Sequence, residues 1–173
     1  MDWFENGWGL SLIVFLPVIG AAVVMAIPKA KESAIKWTAL IFSLVTLALA
    51  VMLAVQFDYS AAGTYQFGTA MDTSWINAIN AHFHIAVDGI SLPMVILTAI
   101  LVPIALAAST SITKRTKEFV VYVLLLEAAM IGVFLALDLF LFFIFFEAIL
   151  IPMYFIIGIW GGERRIYAAF KFF

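Results

Sequence analysis

Two acidic residues lie deep inside segments that otherwise consist of aliphatic and aromatic side chains. These residues are Glu127 and Glu147. A charged side chain at the centre of a membrane helix costs about 2.5–3.5 kcal/mol, so acids at such positions often mark proton or ion pathways. The residue types therefore indicate proton exchange by two carboxyl groups. The structural alternative is that both acids are protonated and only join helices by hydrogen bonds.

The distances of the two glutamates from Asp138 predict that they lie at similar depth. The apolar stretch that contains both glutamates is far too long for one membrane crossing, and Asp138 is the only charge available to mark a turn, so we expect the chain to reverse there. Glu127 precedes Asp138 by eleven residues and Glu147 follows it by nine. At about 1.5 Å per helical residue, these separations are about 16 and 14 Å. Matching depths on adjacent antiparallel helices favour a proton relay over inert packing.

Other polar residues give weaker signals. Lys171 is a basic residue within a predicted membrane helix; its stem is long enough to reach the membrane surface, so a structural role and a role in the relay both stay open. His82 and His84 lie outside the predicted helices without a third ligand nearby, and we expect no metal site there. Asp88 is expected to cap the helix that follows it.

Composition and hydropathy predict the elements that hold these residues. Hydrophobic residues make up 66% of the 173 residues and charged residues 12%, a balance that a small water-soluble domain does not have. We expect an all-α, polytopic transmembrane helix bundle that forms a single membrane domain, with five complete helices and the start of a sixth. The predicted helices cover residues 10–27, 37–57, 87–108, 119–137, 139–160 and 166–173, and residues 58–84 form an outer loop.

The outer loop contains two segments with local signals. Glycines on both sides of Thr64–Phe67 predict a short turn or hairpin. Ser74–His84 is predicted to form a short helix in the membrane interface, with Trp75 and Phe83 in contact with lipid.

The basic residues of the connections all fall on one predicted side of the membrane. They are Lys29, Lys31, Lys36, Lys114, Arg115, Lys117, Arg164 and Arg165. The opposite side carries Asp2, Glu5, Asp58, Asp72 and Asp138. The positive-inside rule therefore places the N-terminus outside. Because acids stand where a secretory signal would carry basic residues, the first apolar run is predicted to be a retained helix.

Four segments carry a resemblance to a known family. They are Val87–Pro93 (VDGISLP), Leu126–Asp138 (LEAAMIGVFLALD), Asp138–Gly162 (DLFLFFIFFEAILIPMYFIIGIWGG) and Lys171–Phe173 (KFF). Together they resemble subunit M (chain 4) of NADH–quinone oxidoreductase, respiratory complex I, which is one of its antiporter-like subunits. Members of that family are much longer, so we interpret the chain as an N-terminal fragment.

The resemblance implies roles for three residues. Glu147 matches the glutamate of the fifth helix that the family needs for proton pumping. Lys171 matches the lysine that precedes two aromatic residues in the sixth helix, and Glu127 matches an acid in the fourth. The family's partner lysine on the seventh helix would lie beyond Phe173, so we expect that the fragment does not pump protons alone.

The resemblance also implies a cellular context. The chain would be a proton-translocating subunit of NADH:quinone oxidoreductase without a redox active site, and NADH, FMN, the Fe-S clusters and quinone would bind to other subunits. The expected partners are other membrane subunits of complex I, especially neighbouring antiporter-like subunits, together with the lipid bilayer and protons, and no nucleic acid. The expected location is the bacterial inner membrane.

Two alternative functions stay open at this point. One is a subunit of a multisubunit Na+/H+ antiporter or of a membrane-bound hydrogenase, which share these helices. The other is a structural membrane anchor in which the glutamates are inert packing groups.

Overall fold

The computed structural model describes residue 4, residues 6–68 and residues 72–173, with only the backbone of residue 79. Asp2 and Glu5, which were predicted to lie on the outer side, are outside the described residues. The helices are α1 (Trp8–Ala26), α2 (Glu32–Gln56), α3 (Ser91–Ala108), α4 (Thr116–Leu135), α5 (Leu139–Trp160) and α6 (Arg165–Phe172). One-turn 3-10 helices cover Tyr59–Ala61, Asn77–Ile79 and Ser109–Ser111, and the strands are β1 (Asp72–Ile76) and β2 (Ala81–His84).

The described residues form a polytopic bundle of membrane helices, which confirms the predicted fold class. Helices α1 to α5 are each long and apolar enough to cross a membrane. The connections α1–α2, α3–α4 and α5–α6 lie at one end of the bundle, here called the basic end. The β1–β2 hairpin and the α4–α5 turn lie at the other, here called the hairpin end.

Two helices start at positions that differ from those that hydropathy predicts. Helix α2 begins at Glu32 and not at Trp37, because its first turns are polar and hydropathy detects only the apolar part of a helix. Helix α3 begins at Ser91 and not at Val87, because Val87 is extended and pairs with Gln66 in an antiparallel bridge.

Asp88 caps α3, as predicted. Its Oδ1 accepts hydrogen bonds from the backbone N–H groups of Ile90 (3.0 Å) and Ser91 (2.7 Å). The hydrogen bond from the N–H of Ser91 contributes most to lowering the pKa of Asp88. The hydroxyl of Ser91 in turn accepts the backbone N–H of Asp88 at 2.9 Å, so the two residues cap reciprocally.

Helix α4 is the centre of the bundle. It packs against α1, α2, α3 and α5, and residues on several of its faces are buried. Helix α5 lies at the edge, where it contacts α4, α6 and β2, and within it Leu141 and Pro152 are buried. A residue on α4 therefore faces protein in most directions, whereas most residues of α5 are only partly covered or exposed.

The interfacial helix predicted over residues 74–84 is wrong, because this segment contributes to an antiparallel hairpin of β1 and β2. Asn80 adopts the left-handed conformation in the connecting turn (φ 52°), which asparagine tolerates better than most residues. Trp75 and Phe83, which were predicted to contact lipid from that helix, lie on β1 and β2 instead.

Long-range backbone pairing holds the hairpin against the α4–α5 turn. The N–H of Leu137 donates to the carbonyl of His84 at 2.9 Å, and the N–H of Ala86 donates to the carbonyl of Leu135 at 3.0 Å. Because these partners are about 50 residues apart in sequence, the local pattern of residues 74–84 does not reveal them.

The segment predicted as a turn over Thr64–Phe67 ends in left-handed backbone. Phe67 has φ 55° and Gly68 has φ 72°. A Cβ at Gly68 would collide with the carbonyl oxygen of Ile85, so the close approach of the two chains needs glycine there.

Lysine side chains at the basic end bind carbonyl groups at the ends of helices. Lys117 donates to the carbonyls of Met25 (2.6 Å) and Ile27 (2.8 Å), where α1 ends. Lys36 donates to the carbonyl of Thr110 at 2.6 Å. Both lysines were predicted to lie in connections, but they lie in the first turns of α4 and α2. They satisfy carbonyls that lack a helical partner and place positive charge near the negative ends of helix dipoles.

Asp138 caps α5 and also binds the hairpin. Its Oδ1 accepts the N–H of Leu141 at 2.9 Å, and its Oδ2 accepts the N–H of His82 at 3.2 Å. Both hydrogen bonds lower the pKa of Asp138, and the bond from Leu141 lowers it more. This carboxylate therefore marks the chain reversal, as predicted, and joins it to β2.

We predict that Asp138→Ala destabilises the protein by about 0.5–2 kcal/mol, the usual cost of losing an N-cap. Because the folded-state pKa of Asp138 is lowered, its contribution is present at neutral pH and is lost as the pH falls through that pKa. Thermal unfolding in detergent at neutral and acid pH measures the difference from the wild type. Asp138→Asn keeps an oxygen acceptor and should lose less. A difference between wild type and Asp138→Ala that stays constant on acidification would contradict the prediction.

Gly132 allows α4 and α5 to pack closely. A Cβ at Gly132 would overlap the ring of Phe145, whereas a Cβ at Gly158 of α5 would lie 3.6 Å from the Cβ of Ala169, an ordinary contact. The two glycines therefore provide a matched pair for testing the α4–α5 contact.

We predict that Gly132→Ala lowers the thermal stability in detergent, because overpacking a helix contact typically costs about 1–3 kcal/mol. Gly158→Ala is the control: it makes no collision and removes the helix-interior cost of glycine, so its melting temperature should equal or slightly exceed that of the wild type. Equal melting temperatures for the two variants would show that the α4–α5 contact is looser than described.

Candidate functional site

Glu127 lies in the middle of α4 and is completely buried, with 0% of its surface exposed. Its Oε1 accepts a hydrogen bond from the hydroxyl of Ser43 on α2 at 3.1 Å. Its Oε2 is also buried and has no hydrogen-bond partner among the described residues. Glu127 is thus an acid inside the protein with one polar contact.

Packing explains why this carboxyl points inwards. Leu124 and Ile131 lie about one turn before and after Glu127 on the same face of α4, and both are fully buried. The apolar stripe that anchors α4 in the bundle therefore carries the glutamate with it. Ser43 meets it from α2, where it too is 0% exposed.

Glu147 has the opposite environment. It lies on the exposed face of α5, together with Phe143, Phe146 and Ile151, which are each about half exposed. In the described part of the chain it makes no hydrogen bond and no ion pair. This face of α5 therefore presents a carboxyl within an apolar surface.

The register between α4 and α5 gives the relative depth of the two acids. Gly132 opposes Phe145, and the ring of Tyr122 stacks on that of Phe155 with centroids 5.1 Å apart. On this register Glu147 is level with a position of α4 three residues after the buried glutamate, which is about 4.5 Å along the axis. The acids are thus close in depth but on different faces of the hairpin.

Lys171 lies in the last turn of α6, exposed, with its Nζ 5.8 Å from the centre of the Tyr167 ring. Helix α6 returns along α5, so that Phe173 lies against Tyr154 with ring centroids 5.7 Å apart. Glu147 is seven residues further along α5, about 10 Å towards the hairpin end. Across the described ranges no ion pair joins the lysine to either glutamate.

Ser43 is the site residue that sequence reasoning missed. Its signal was weak: a hydroxyl within the apolar run of α2 looks like any serine in a membrane helix. Only the packing of α2 on α4 shows that this hydroxyl meets a carboxyl.

A second polar cluster lies at the hairpin end. His82 Nδ1 contacts Asp72 Oδ1 at 2.5 Å between paired strands, and Nε2 of His84 is buried without a hydrogen-bond partner in the ranges described. No group of three or more histidine, aspartate or glutamate side chains suited to a metal ion occurs among the described residues.

Two family models match the chain, one after the other. The model for the amino terminus of NADH-ubiquinone oxidoreductase chain 4 matches residues 12–137, which include Glu127. The model for the transmembrane region of the NADH:quinone oxidoreductase/Mrp antiporter group matches residues 136–173, which include Glu147 and Lys171.

Curated relatives agree with these matches. Subunit M of the NADH-quinone oxidoreductase of Rhodobacter capsulatus is 48% identical over 169 residues, which are 95% of this chain and 32% of that protein. Subunit M of Rickettsia prowazekii (strain Madrid E) is 40% identical, over 95% of this chain and 34% of that protein. Chain 4 of NADH-ubiquinone oxidoreductase of Arabidopsis thaliana is 40% identical, over 98% and 34%. The chain spans about a third of the length of these relatives.

Solved structures share the fold. A chain of respiratory complex I from Thermus thermophilus with bound NADH matches with a TM-score of 0.71 at 24% identity, over 94% of this chain and 31% of that chain. A chain of the membrane-bound sulfane sulfur reductase, an archaeal respiratory membrane complex, matches with a TM-score of 0.68 at 22% identity, over 94% and 24%. At these identities the likeness establishes the fold alone. The first family model covers well over half of the residues, so the chain belongs to the NADH-ubiquinone oxidoreductase chain 4 family, within the amino-terminal part of that protein.

Proposed function

We propose that this chain forms part of the proton-translocating path of an NADH:quinone oxidoreductase, in which electron transfer in other subunits supplies the energy. Glu127, Glu147 and Lys171 are the proposed relay residues. The observation that carries the proposal is the placement of two carboxyl groups at nearly equal depth on the two arms of the α4–α5 hairpin.

The environment of Glu127 supports a role in proton transfer. A purely structural acid would be expected to use both oxygens in hydrogen bonds, since leaving a buried polar group unpaired costs about 1–3 kcal/mol. Glu127 uses one oxygen and leaves the other free of protein partners within the described ranges. An oxygen in that condition is available to take up and release a proton.

The environment of Glu147 supports contact with further polypeptide. A carboxyl at this depth is costly against lipid, so the open face of α5 is better explained by a protein neighbour. The relatives are about three times as long as this chain, which leaves ample sequence for such a neighbour. In our proposal a basic side chain from outside these 173 residues approaches Glu147 and withdraws from it during turnover.

The proposed energetics are modest. Carrying one charge against a potential of 100 mV takes about 2.3 kcal/mol. The approach of a single opposite charge in a medium of low dielectric constant supplies an interaction of at least this size. One partner that moves relative to Glu147 is therefore sufficient to drive one proton step.

The proposal also includes the orientation of the chain in the membrane and its neighbours. The N-terminus lies outside and the basic end faces the cytoplasm of a bacterial cell, a placement supported by the positive-inside rule and by bacterial relatives. NADH, FMN, the Fe-S clusters and quinone bind to other subunits. The neighbours are other membrane subunits of complex I, especially antiporter-like ones, and no nucleic acid is involved.

A second candidate function is membership of a related antiporter or respiratory membrane complex. It is favoured by the match of residues 136–173 to a family model that covers the Mrp antiporter group as well as NADH:quinone oxidoreductase, and by the fold shared with the sulfane sulfur reductase. The chain 4 model and the 48% identical subunit M favour complex I over this alternative.

We predict that Glu147→Gln in the full-length protein, within the assembled complex, abolishes proton pumping while NADH oxidation by an artificial acceptor continues. The amide keeps the size of the side chain but cannot exchange a proton. Uptake of protons into inverted membrane vesicles, followed with a fluorescent pH probe, measures the effect. Glu163→Gln, in the exposed α5–α6 connection, is the matched control and should pump normally. Normal pumping by Glu147→Gln would favour a structural anchor with inert glutamates.

We predict that Lys171→Met also lowers the pumping rate, because it removes a positive charge from the proposed relay. The same vesicle assay measures it, with Arg164→Gln at the start of α6 as the control. If Lys171 only extends to the membrane surface and lies over Tyr167, both variants will pump equally, and Lys171 is then excluded from the relay.

A further inference from the structure

The hydroxyl of Ser43 behaves differently from other buried hydroxyls in the bundle. Thr46 on the same helix donates to the carbonyl of Phe42 at 3.0 Å, and Thr98 on α3 donates to that of Met94 at 2.9 Å. Bonding to the carbonyl four residues earlier is the usual solution for a hydroxyl inside a helix. Ser43 instead donates to a side chain on another helix. Its hydroxyl is therefore committed to Glu127.

The position of this bond makes it hard to replace. Both Ser43 and Glu127 are 0% exposed, and the bond joins α2 to α4 inside the apolar bundle. Water is scarce at that depth, so a carboxyl oxygen that loses Ser43 has few other donors. Within the described ranges, Ser43 is the only protein group that hydrogen-bonds to this carboxyl.

The chemistry of the carboxyl makes its two oxygens unequal. A neutral carboxylic acid has one oxygen that carries hydrogen and one that mainly accepts. Since Ser43 donates to Oε1, this oxygen serves as the acceptor in the neutral and in the ionised form. The proton is then left on Oε2, which has no protein partner in the described part of the chain.

We propose that Ser43 is a positioning residue for Glu127: by donating its hydroxyl to Oε1, it makes Oε2 the atom that carries and releases the exchangeable proton. This inference rests on the proposed role of Glu127 in proton translocation. It adds that the proton leaves on the side of the carboxyl away from Ser43, because the hydroxyl of that serine is already used as a donor.

Infrared difference spectroscopy of the full-length protein in its assembled complex tests the hydrogen bond directly. The C=O stretching band of the protonated Glu127 side chain is identified by its loss in Glu127→Gln. In Ser43→Ala this band should move to higher frequency, because the C=O group loses its donor. Thr46→Val is the matched control, since Thr46 is equally buried on α2 but bonds only its own helix. In this variant the Glu127 band should not move.

Proton pumping by the same variants tests the positioning role. We expect the pumping rate of Ser43→Ala to fall at least about tenfold, which is the lower end of what a hydrogen bond to a charged group is worth. Ser43→Thr keeps the hydroxyl and should restore both the band position and the pumping rate. If Ser43→Ala assembles poorly, Ser43→Cys, a weaker donor, should shift the band part of the way in the same direction.

The outcomes separate the two proposals. The proposed function predicts that Glu127→Gln does not pump. If that holds and the band does not move in Ser43→Ala, the positioning role alone is overturned. An equal shift in Thr46→Val overturns it as well, since the effect would then not depend on the bond. Normal pumping by Glu127→Gln overturns the role of Glu127 in the proposed function, and the positioning role with it.

Discussion

The hydrocarbon interior of a membrane offers no hydrogen-bond partners, so each polar group that enters it must find one inside the protein. This constraint organises the bundle. The backbone is satisfied within helices, and threonine hydroxyls return to the carbonyls of their own helices. Lysines at the basic end bind the free carbonyls where helices end. The Ser43 hydroxyl differs from those of the threonines, because it bonds a side chain on another helix. It does so at a depth where a charged carboxyl is energetically unfavourable.

The two glutamates meet the same constraint in different ways. Helix α4 is surrounded by four other helices, so an acid on its buried face needs a partner from a neighbour, and α2 supplies it. Helix α5 lies at the edge of the bundle, and Glu147 lies on the exposed face of this helix. The first acid belongs to the interior of this unit, and the second belongs to a surface that further protein is proposed to cover.

The hairpin end fixes the geometry of the α4–α5 pair. Asp138 binds both the first turn of α5 and the backbone of β2, and strand-like pairing continues to Leu137. The close contact at Gly132 then sets the register of the helices below the turn. The depth of the two carboxyl groups is thus set by their distance from the α4–α5 turn.

Sequence alone determined the number, order and approximate extent of the helices, the chain reversal at Asp138 and the similar depth of Glu127 and Glu147, because length, hydropathy and helical rise are local properties. It did not determine which way each acid faces, since the rotation of an almost wholly apolar helix depends on its neighbours. It also misassigned residues 74–84, which form a hairpin with the start of β1 and are joined through the carbonyl of His84 to Leu137, far along the chain. The hydrogen bond between Ser43 and Glu127 depends on the packing of α2 against α4. A serine in an apolar run does not by itself indicate which side chain it will contact.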